Sequence, residues 1–242
     1  MSKYNIGGVV VEMEPKFDKL RIQSLPYKIY DDAQPDIQIA FSDRFLINKQ
    51  KENPTLSIED CEYIWYGFDY YRKMPEFGGI MVHSSCIAVD GNAYLFSASS
   101  GTGKSTHTAL WKKKFGEDAV YVNDDKPLIR RYGDTFCACG TPFSGKTDLN
   151  NNVVVPLKAM CILERGLTNE IRRATTTQSV AKLLEQMYRP FETTLMAATM
   201  AIFTDLLNQI PVYVLSCNME PEAADVAYDF MSKPAFKIKL IE

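Results

Sequence analysis

The sequence predicts an α/β fold built on a mixed sheet, in which a β-hairpin leads directly into a glycine-rich loop behind a β-rich N-terminal portion. Three observations predict it. Ile80 to Val89 and Ala93 to Phe96 are apolar runs separated by Asp90-Gly91-Asn92, a tight-turn signature. Gly101, Gly103, Lys104 and Ser105 follow at once and open a helix running to about Lys114. The last third alternates strand and helix patterns, as a layered α/β sheet requires.

Residues 1–75 read as a front end of strands and turns with one helical patch. Gly7-Gly8 sets a turn before Val9-Val10-Val11. Leu20-Arg21-Ile22 and Ile37-Gln38-Ile39 alternate as half-buried strands do, and Pro35 and Pro54 punctuate loops. Ser57-Ile58-Glu59-Asp60 is a helix start. The aromatics crowded after it, Tyr63, Trp65, Tyr66, Phe68, Tyr70 and Tyr71, suit core and edge packing, because few basic residues interleave to make a base-stacking platform.

Beyond the glycine-rich loop and its helix, the strand Ala119 to Val122 ends in Asn123-Asp124-Asp125. Leu128 to Tyr132 turns at Gly133-Asp134 into Thr135 to Cys139, a second hairpin. Ala159 to Leu163 is a short buried strand, Thr177 to Met187 and Glu192 to Leu207 are helices, and Pro211 to Leu215 is a strand. Pro221 to Met231 closes the pattern as a helix with its proline in the first turn. With no internal repeat, low-complexity linker or composition break, 1–242 reads as one domain, its core over 78–130.

Composition excludes several classes of function. Lys plus Arg total 27 against 30 for Asp plus Glu, a formal net charge of -3, which argues against nucleic acid as a partner. No apolar run reaches the roughly 18–20 residues of a membrane helix, so no membrane partner is expected. The N-terminus opens no signal-peptide pattern, since charges recur from Glu12 through Lys19, and a cytoplasmic location follows as the expectation. Six dispersed cysteines fit that compartment. Cys137 and Cys139 form the close pair but lack a second Cys/His pair, so they read as small buried groups rather than zinc ligands.

The chemistry concentrates in Ala98-Ser99-Ser100-Gly101-Thr102-Gly103-Lys104-Ser105-Thr106. Glycines let the backbone curl so that N–H groups face an anion, and the helix start adds unpaired donors and partial positive charge. The loop residues Ser100, Gly101, Thr102, Gly103, Lys104, Ser105 and Thr106 are therefore assigned to a nucleotide phosphate chain, with Lys104 on the β- and γ-phosphates and the Ser105 hydroxyl on Mg²⁺. The strict phosphate-loop (P-loop) pattern has glycine where this chain has Ala98. The strand before the loop and the helix after it supply the missing context. Asp124 and Asp125 end a buried strand where ligands collect in open α/β sheets. One can hold Mg²⁺ while the other takes a proton from an attacking hydroxyl. His83, on the hairpin strand before the loop, is assigned a polar role near the γ-phosphate, whereas His107 reads as a packing or surface residue.

Met81-Val82-His83, the run Leu95 to Ser105 and Val122-Asn123-Asp124-Asp125 together resemble the kinase domain of HPr serine kinase/phosphorylase, whose fold is shared with ATP-dependent phosphoenolpyruvate carboxykinase. The similarity spans about residues 78–130. The chain also resembles the shorter HPr-kinase-like proteins found beside peptide-modification genes, through Gly140 to Lys146 and Pro211 to Leu215. The resemblance implies an ATP- and Mg²⁺-dependent kinase with Lys104 and Ser105 on phosphate and metal. It implies Asp124 as the base that activates a serine hydroxyl and Asp125 as the metal-side carboxylate. His83 would orient the γ-phosphate and its neighbouring Asp, and a homo-oligomer is implied as well. Nothing after Asp125 matches the segment linked to phosphorolysis, so transfer without phosphorolysis is expected. The front end does not read as the family's regulatory domain, so HPr is not the expected acceptor.

A peptide or protein serine is the leading acceptor. A small hydroxylated metabolite, or a nucleotide sensor without catalysis, are the alternatives. A deep narrow pocket beside the loop would mark the small molecule, and an open groove near Gly140 the peptide. Gly140 to Lys146 reads equally as a substrate loop or a surface turn, and Arg165, Arg172, Arg173 and Arg189 read as solvated charges ahead of the alternative, phosphate clamps.

Overall fold

The computed structural model describes residues 1–233. β1 (Ser2–Ile6) and β2 (Val9–Met13) form a hairpin across Gly7-Gly8, whose φ values of 57° and 74° give the turn the twist that flanking strands require. There follow α1 (Asp18–Ser24), β3 (Lys28–Ile29), β4 (Ile37–Ile39), α2 (Asp43–Glu52) and α3 (Ile58–Lys73). The strands form one sheet in the order β3-β1-β2-β4. Ile6, Val9, Val11 and Met13 pack with Tyr63, Tyr66 and Tyr70 of α3, so that aromatic cluster is core as expected.

The front end is less β-rich than its sequence predicts, since helices hold more of it than strands. Leu20-Arg21-Ile22 belongs to α1. The reason lies in tertiary capping. Glu62 accepts the N–H groups of Lys16 and Phe17 at 2.7 and 3.0 Å, and Glu59 accepts that of Lys19 at 2.7 Å. These carboxylates satisfy the donors that a helix start leaves unpaired. α2 is equally unannounced: it buries only Leu46 and owes its start to Ser42, whose hydroxyl accepts the Phe45 N–H at 3.2 Å. α3 begins where expected, on a capping box between Ser57 and Asp60.

The larger sheet holds β5 (Gly79–Met81), β6 (Ser84–Val89) and β7 (Asn92–Ser97), which leads to α4 (Lys104–Phe115). β8 (Val120–Asn123), β9 (Leu128–Tyr132), β10 (Thr135–Cys139), β11 (Val154–Arg165) and β12 (Glu170–Arg173) come next. α5 (Thr176–Gln186), α6 (Thr193–Gln209), β13 (Val212–Cys217) and α7 (Glu222–Met231) complete the described chain. The sheet order is β5-β9-β10-β11-β7-β6-β8, with β13 beside β11 and β12 beside β13. β11 is far longer than the predicted Ala159 to Leu163. Its first part runs antiparallel to β10, and from Leu157 it runs parallel to β7, past a bulge between Leu157 and Ala159, and then to β13 as well. That one strand curls the sheet.

Period-two alternation divides the core. Cys86, Leu95, Ile162 and Val214 face Leu183 of α5 and Phe203 of α6. Ile87, Tyr94, Phe96, Cys161 and Leu215 face Trp111 of α4 and Ala224 of α7. Cys137 and Cys139 are buried with Leu128, as expected for small core groups. The predicted continuous strand from Ile80 to Val89 is broken. β5 pairs with β9 while β6 pairs with β7 and β8, and His83 sits in the gap rather than on a strand. Among the described residues no helix is long and apolar enough to cross a membrane.

Candidate functional site

The break at His83, the loop before α4, the end of β8 and the segment 144–147 all open on one cleft of about 800 Å³. His83, Ser100, Gly101, Gly103, Lys104, Ser105, Thr106, Asp124 and Asp125 line it together. Thr102 is the exception among the predicted loop residues and faces the hollows on the far side of the loop.

The loop holds the curled path its glycines allow. Gly101 and Gly103 have φ values of 75° and 121°, and α4 starts at Lys104 with no side-chain cap. The first-turn N–H groups of α4 are thus left for an anion. Ala98 packs in the core on the α4 side of the sheet, so its methyl does not crowd the loop. Lys104 is 8% exposed, and its ammonium donates to the Ala98 carbonyl at 3.2 Å. Burial lowers its pKa, against the opposing pull of Asp125 and Asp124. Arg165 is not merely solvated: its guanidinium donates to the Gly101 carbonyl at 2.6 Å and ties the loop to β11. Arg172, Arg173 and Arg189 are exposed, in keeping with their sequence reading. His107 is buried against Phe96 and accepts the Trp111 indole N–H at 3.1 Å. Burial pushes its pKa down to about 4, so it is a neutral packing group.

The two carboxylates differ sharply in surroundings. Asp124 is 3% exposed. Its Oδ1 accepts the Ser85 hydroxyl and lies 3.5 Å from that of Thr108, while Oδ2 is buried with no partner among the described residues. Asp125 pairs with His83 Nε2 at 3.0 Å and with the Lys126 ammonium. Burial pushes the Asp125 carboxyl upward, but the His83 hydrogen bond and the Lys126 charge prevail and hold its pKa at about 2. His83 is positioned from the opposite side by Gln186, whose carbonyl accepts the His83 N–H at 2.7 Å and whose side chain meets Nδ1 at 3.1 Å.

Asn123 locks this end of β8. Its Oδ1 accepts the N–H groups of Asp125 and Lys126 at 2.9 and 2.6 Å, and its amide donates to the Thr141 carbonyl at 3.0 Å. That bond draws Gly140 to Ser144 into the interior, where the segment is buried rather than a surface turn. Tyr63 holds the segment from α3: its hydroxyl accepts the Ser144 N–H at 2.7 Å and donates to the Pro142 carbonyl at 3.1 Å. Gly145 and Lys146 emerge into the cleft beside Asp125. Sequence reasoning singled out neither Ser85, Thr108, Gln186 nor Tyr63 as site residues. The Asn123 in the Asn-Asp-Asp run was the one available signal, as a residue type that hydrogen-bonds its own following backbone.

Mg²⁺ is tested by the donor set. A buried carboxylate oxygen without a partner, across the cleft from a serine hydroxyl at a helix start, suits a hard cation that takes one or two protein ligands beside phosphate oxygens. Asp124 and Ser105 fit that description.

Among solved structures, the chain is similar to the Hpr(Ser) kinase/phosphatase from Coxiella burnetii, with 10% identity, a TM-score of 0.36, and coverage of 62% of this chain and 94% of that one. No curated protein matches. The family model described as SynChlorMet cassette protein ScmC matches residues 49–223, a span that takes in α3, the glycine-rich loop, both carboxylates and the larger sheet. The chain belongs to the ScmC family.

Proposed function

We propose that the chain is an Mg²⁺- and ATP-dependent kinase that transfers the γ-phosphoryl group to a hydroxyl, in the first place a serine of a peptide or protein. One observation carries the reading: an uncapped helix start preceded by a glycine-curled loop faces a His83-paired carboxylate and a second, half-unpartnered carboxylate across one cleft. The loop amides and Lys104 bind the phosphate chain. Asp124 Oδ2 and the Ser105 hydroxyl would hold Mg²⁺, which when bound would neutralise charge on the phosphates. The acceptor oxygen bonds to the γ-phosphorus as the bond from that phosphorus to its bridging oxygen breaks, the hydroxyl proton passes to Asp125, and ADP leaves. The transition state of such transfers is loose, so Asp125 serves mainly to orient the hydroxyl and receives the proton late.

This assignment exchanges the roles that the resemblance implies for Asp124 and Asp125. The exchange is supported by His83, which steers Asp125, and by the unpartnered oxygen, which belongs to Asp124. A peptide acceptor is favoured over a small molecule by the breadth of the cleft and by the exposed Lys146 and Thr147 that line it. Calorimetric titration with ATP, with and without Mg²⁺, tests the first half of the reading. Binding that needs Mg²⁺ and is lost in Lys104→Ala is the expected result, and no binding of ATP to the wild type removes the proposal.

A further inference from the structure

Beside the cleft lies a second hollow of about 220 Å³ that the chemistry above does not use. It shares Tyr63, Ile64 and Lys126 with the cleft, so the two adjoin, and Lys126 is the chain neighbour of Asp125. Its wall is made of side-chain faces from α3 and beyond, chiefly Phe68, Tyr71, Phe143 and Tyr188. The tyrosine hydroxyls on α3 are engaged elsewhere. Tyr63 bonds Pro142, Ser144 and Gly145, and Tyr71 bonds the Lys126 carbonyl and the Thr141 hydroxyl. What these two residues offer the hollow is ring surface, not hydrogen bonds. Phe68, at the rim, is 49% exposed although it sits on the helix whose Tyr63, Tyr66, Tyr70 and Tyr71 are buried. Lys126 lines both the hollow and the cleft, and its ammonium is paired with Asp125. The ring faces that wall the hollow favour an aromatic guest, which packs on them edge-to-face or offset, over an aliphatic one.

We infer that this hollow is the acceptor-specificity pocket, and that it receives an aromatic side chain next to the hydroxyl-bearing residue of a peptide. The inference rests on the kinase reading for its consequence but not for the binding itself. An aromatic ring seated between Ile64 and Tyr188 leaves the neighbouring residue of the same peptide over Asp125, where the hydroxyl is needed. Specificity then comes from an apolar pocket fixed on α3, and the polar cleft remains indifferent to sequence.

The test uses the full chain and four capped dipeptides: acetyl-Ser-Trp-amide, acetyl-Trp-Ser-amide and their alanine counterparts. Methyl NMR of Ile64 and Met81, both on the wall of the hollow, reads binding without nucleotide. Transfer from Mg²⁺-ATP to the same probes reads the consequence. At least one tryptophan probe shifts both methyl signals while the alanine probes do not, and it is phosphorylated at least about tenfold faster, the order of discrimination an apolar pocket gives. Ile64→Trp, which fills the mouth, abolishes the Met81 shift and the rate ratio. Phe68→Ala, at an exposed position that tolerates truncation, lowers the ratio. Shifts without any transfer support the pocket and remove the kinase reading. Transfer with equal rates and no selective shifts leaves the kinase reading standing and overturns the pocket, whereas the absence of both shifts and transfer overturns the pocket and the kinase reading together.

Discussion

Gly145 lies so close to Asp125 that a Cβ placed on it would come within 2.7 Å of the carboxylate Oδ2. Its φ of 72° adds a second reason for glycine there. Gly145→Ala therefore strains the backbone and pushes the carboxylate away from His83. The strain costs about 1–2 kcal/mol of stability. On the proposed kinase reading, displacing the carboxylate is expected to lower phosphoryl transfer about 10- to 100-fold, since misplacement near 1 Å is felt on that scale. ATP affinity, which the same reading assigns to the glycine-rich loop, is expected to stay unchanged. Steady-state kinetics with a calorimetric Kd separates the two effects, and an equal loss in both would contradict this role for Gly145.

Asn123 is wholly buried and joins β8, the carboxylate turn and the segment after β10. Asn123→Ala leaves two backbone N–H groups and the Thr141 carbonyl without their partner. At about 1 kcal/mol or more for each group stranded in the interior, the loss is about 3 kcal/mol. In a chain of this size that lowers the Tm by about 6–12 °C. Thermal unfolding followed by circular dichroism measures it. A shift of under about 2 °C would mean that water replaces the amide at no cost.

The depressed pKa of Asp125 makes stability depend on pH. Its folded value of about 2 lies below the ordinary 3.8. The ionised form is therefore favoured by folding, and the contribution is fully present above about pH 4 and lost as pH falls through 2. The difference is worth about 2.5 kcal/mol. Urea unfolding at steps between pH 5 and pH 2 shows the decline. In His83→Ala the decline starts from a lower plateau and is shallower, because the partner that holds the carboxyl down is gone. Carbon-detected NMR of the Asp125 carboxyl should show its midpoint move upward in the same variant.

What could be read from the sequence, and what could not, follows the distance along the chain over which each feature is built. Gly101, Gly103, Lys104 and Ser105 act through a single turn, and Asp124-Asp125 through one strand end, so both stood out. The hairpin across Asp90-Gly91 was equally local, with both residues at positive φ. The parts that aim these groups are remote. Gln186 reaches His83 from 103 positions away, and Tyr63 holds Ser144 from 81. Nothing in a glutamine or a tyrosine marks it in advance for such a contact. The same reason hid α1, whose cap is supplied by Glu59 and Glu62 of another helix. The break at His83 was hidden because the apolar run continues unbroken through it, and only the exchange of strand partners reveals it.

Lys104 separates stability from function. Its ammonium is nearly buried and its pKa is lowered by that burial, so the lysine is a cost to the ligand-free fold. Lys104→Met keeps the stem and removes the charge. The urea midpoint of the free protein is expected to stay level or rise, while the stabilisation that the proposed Mg²⁺-ATP binding predicts for the wild type is expected to be absent in the variant. Thermal shift with and without nucleotide reports both quantities in one experiment. A variant that unfolds more easily when free would show that Lys104 instead holds the loop through the Ala98 carbonyl.

The two adjacent carboxylates are predicted to fail in different ways. Asp124 offers an unpartnered oxygen, so Asp124→Asn weakens Mg²⁺ and raises the concentration needed for half-maximal ATP binding by about tenfold or more. Asp125 is engaged by His83 and Lys126, so Asp125→Asn leaves that Mg²⁺ requirement within about twofold but lowers transfer by about 10²–10⁴. The comparison needs only ATP binding at several Mg²⁺ concentrations and a transfer assay on the same two variants. If the pattern came out reversed, with the Mg²⁺ requirement moved by Asp125→Asn, the base would be Asp124 and the order implied by the family resemblance would be restored. The neighbouring histidine gives an independent check. His83→Ala should share the phenotype of Asp125→Asn, because His83 pairs with that carboxylate and acts through it.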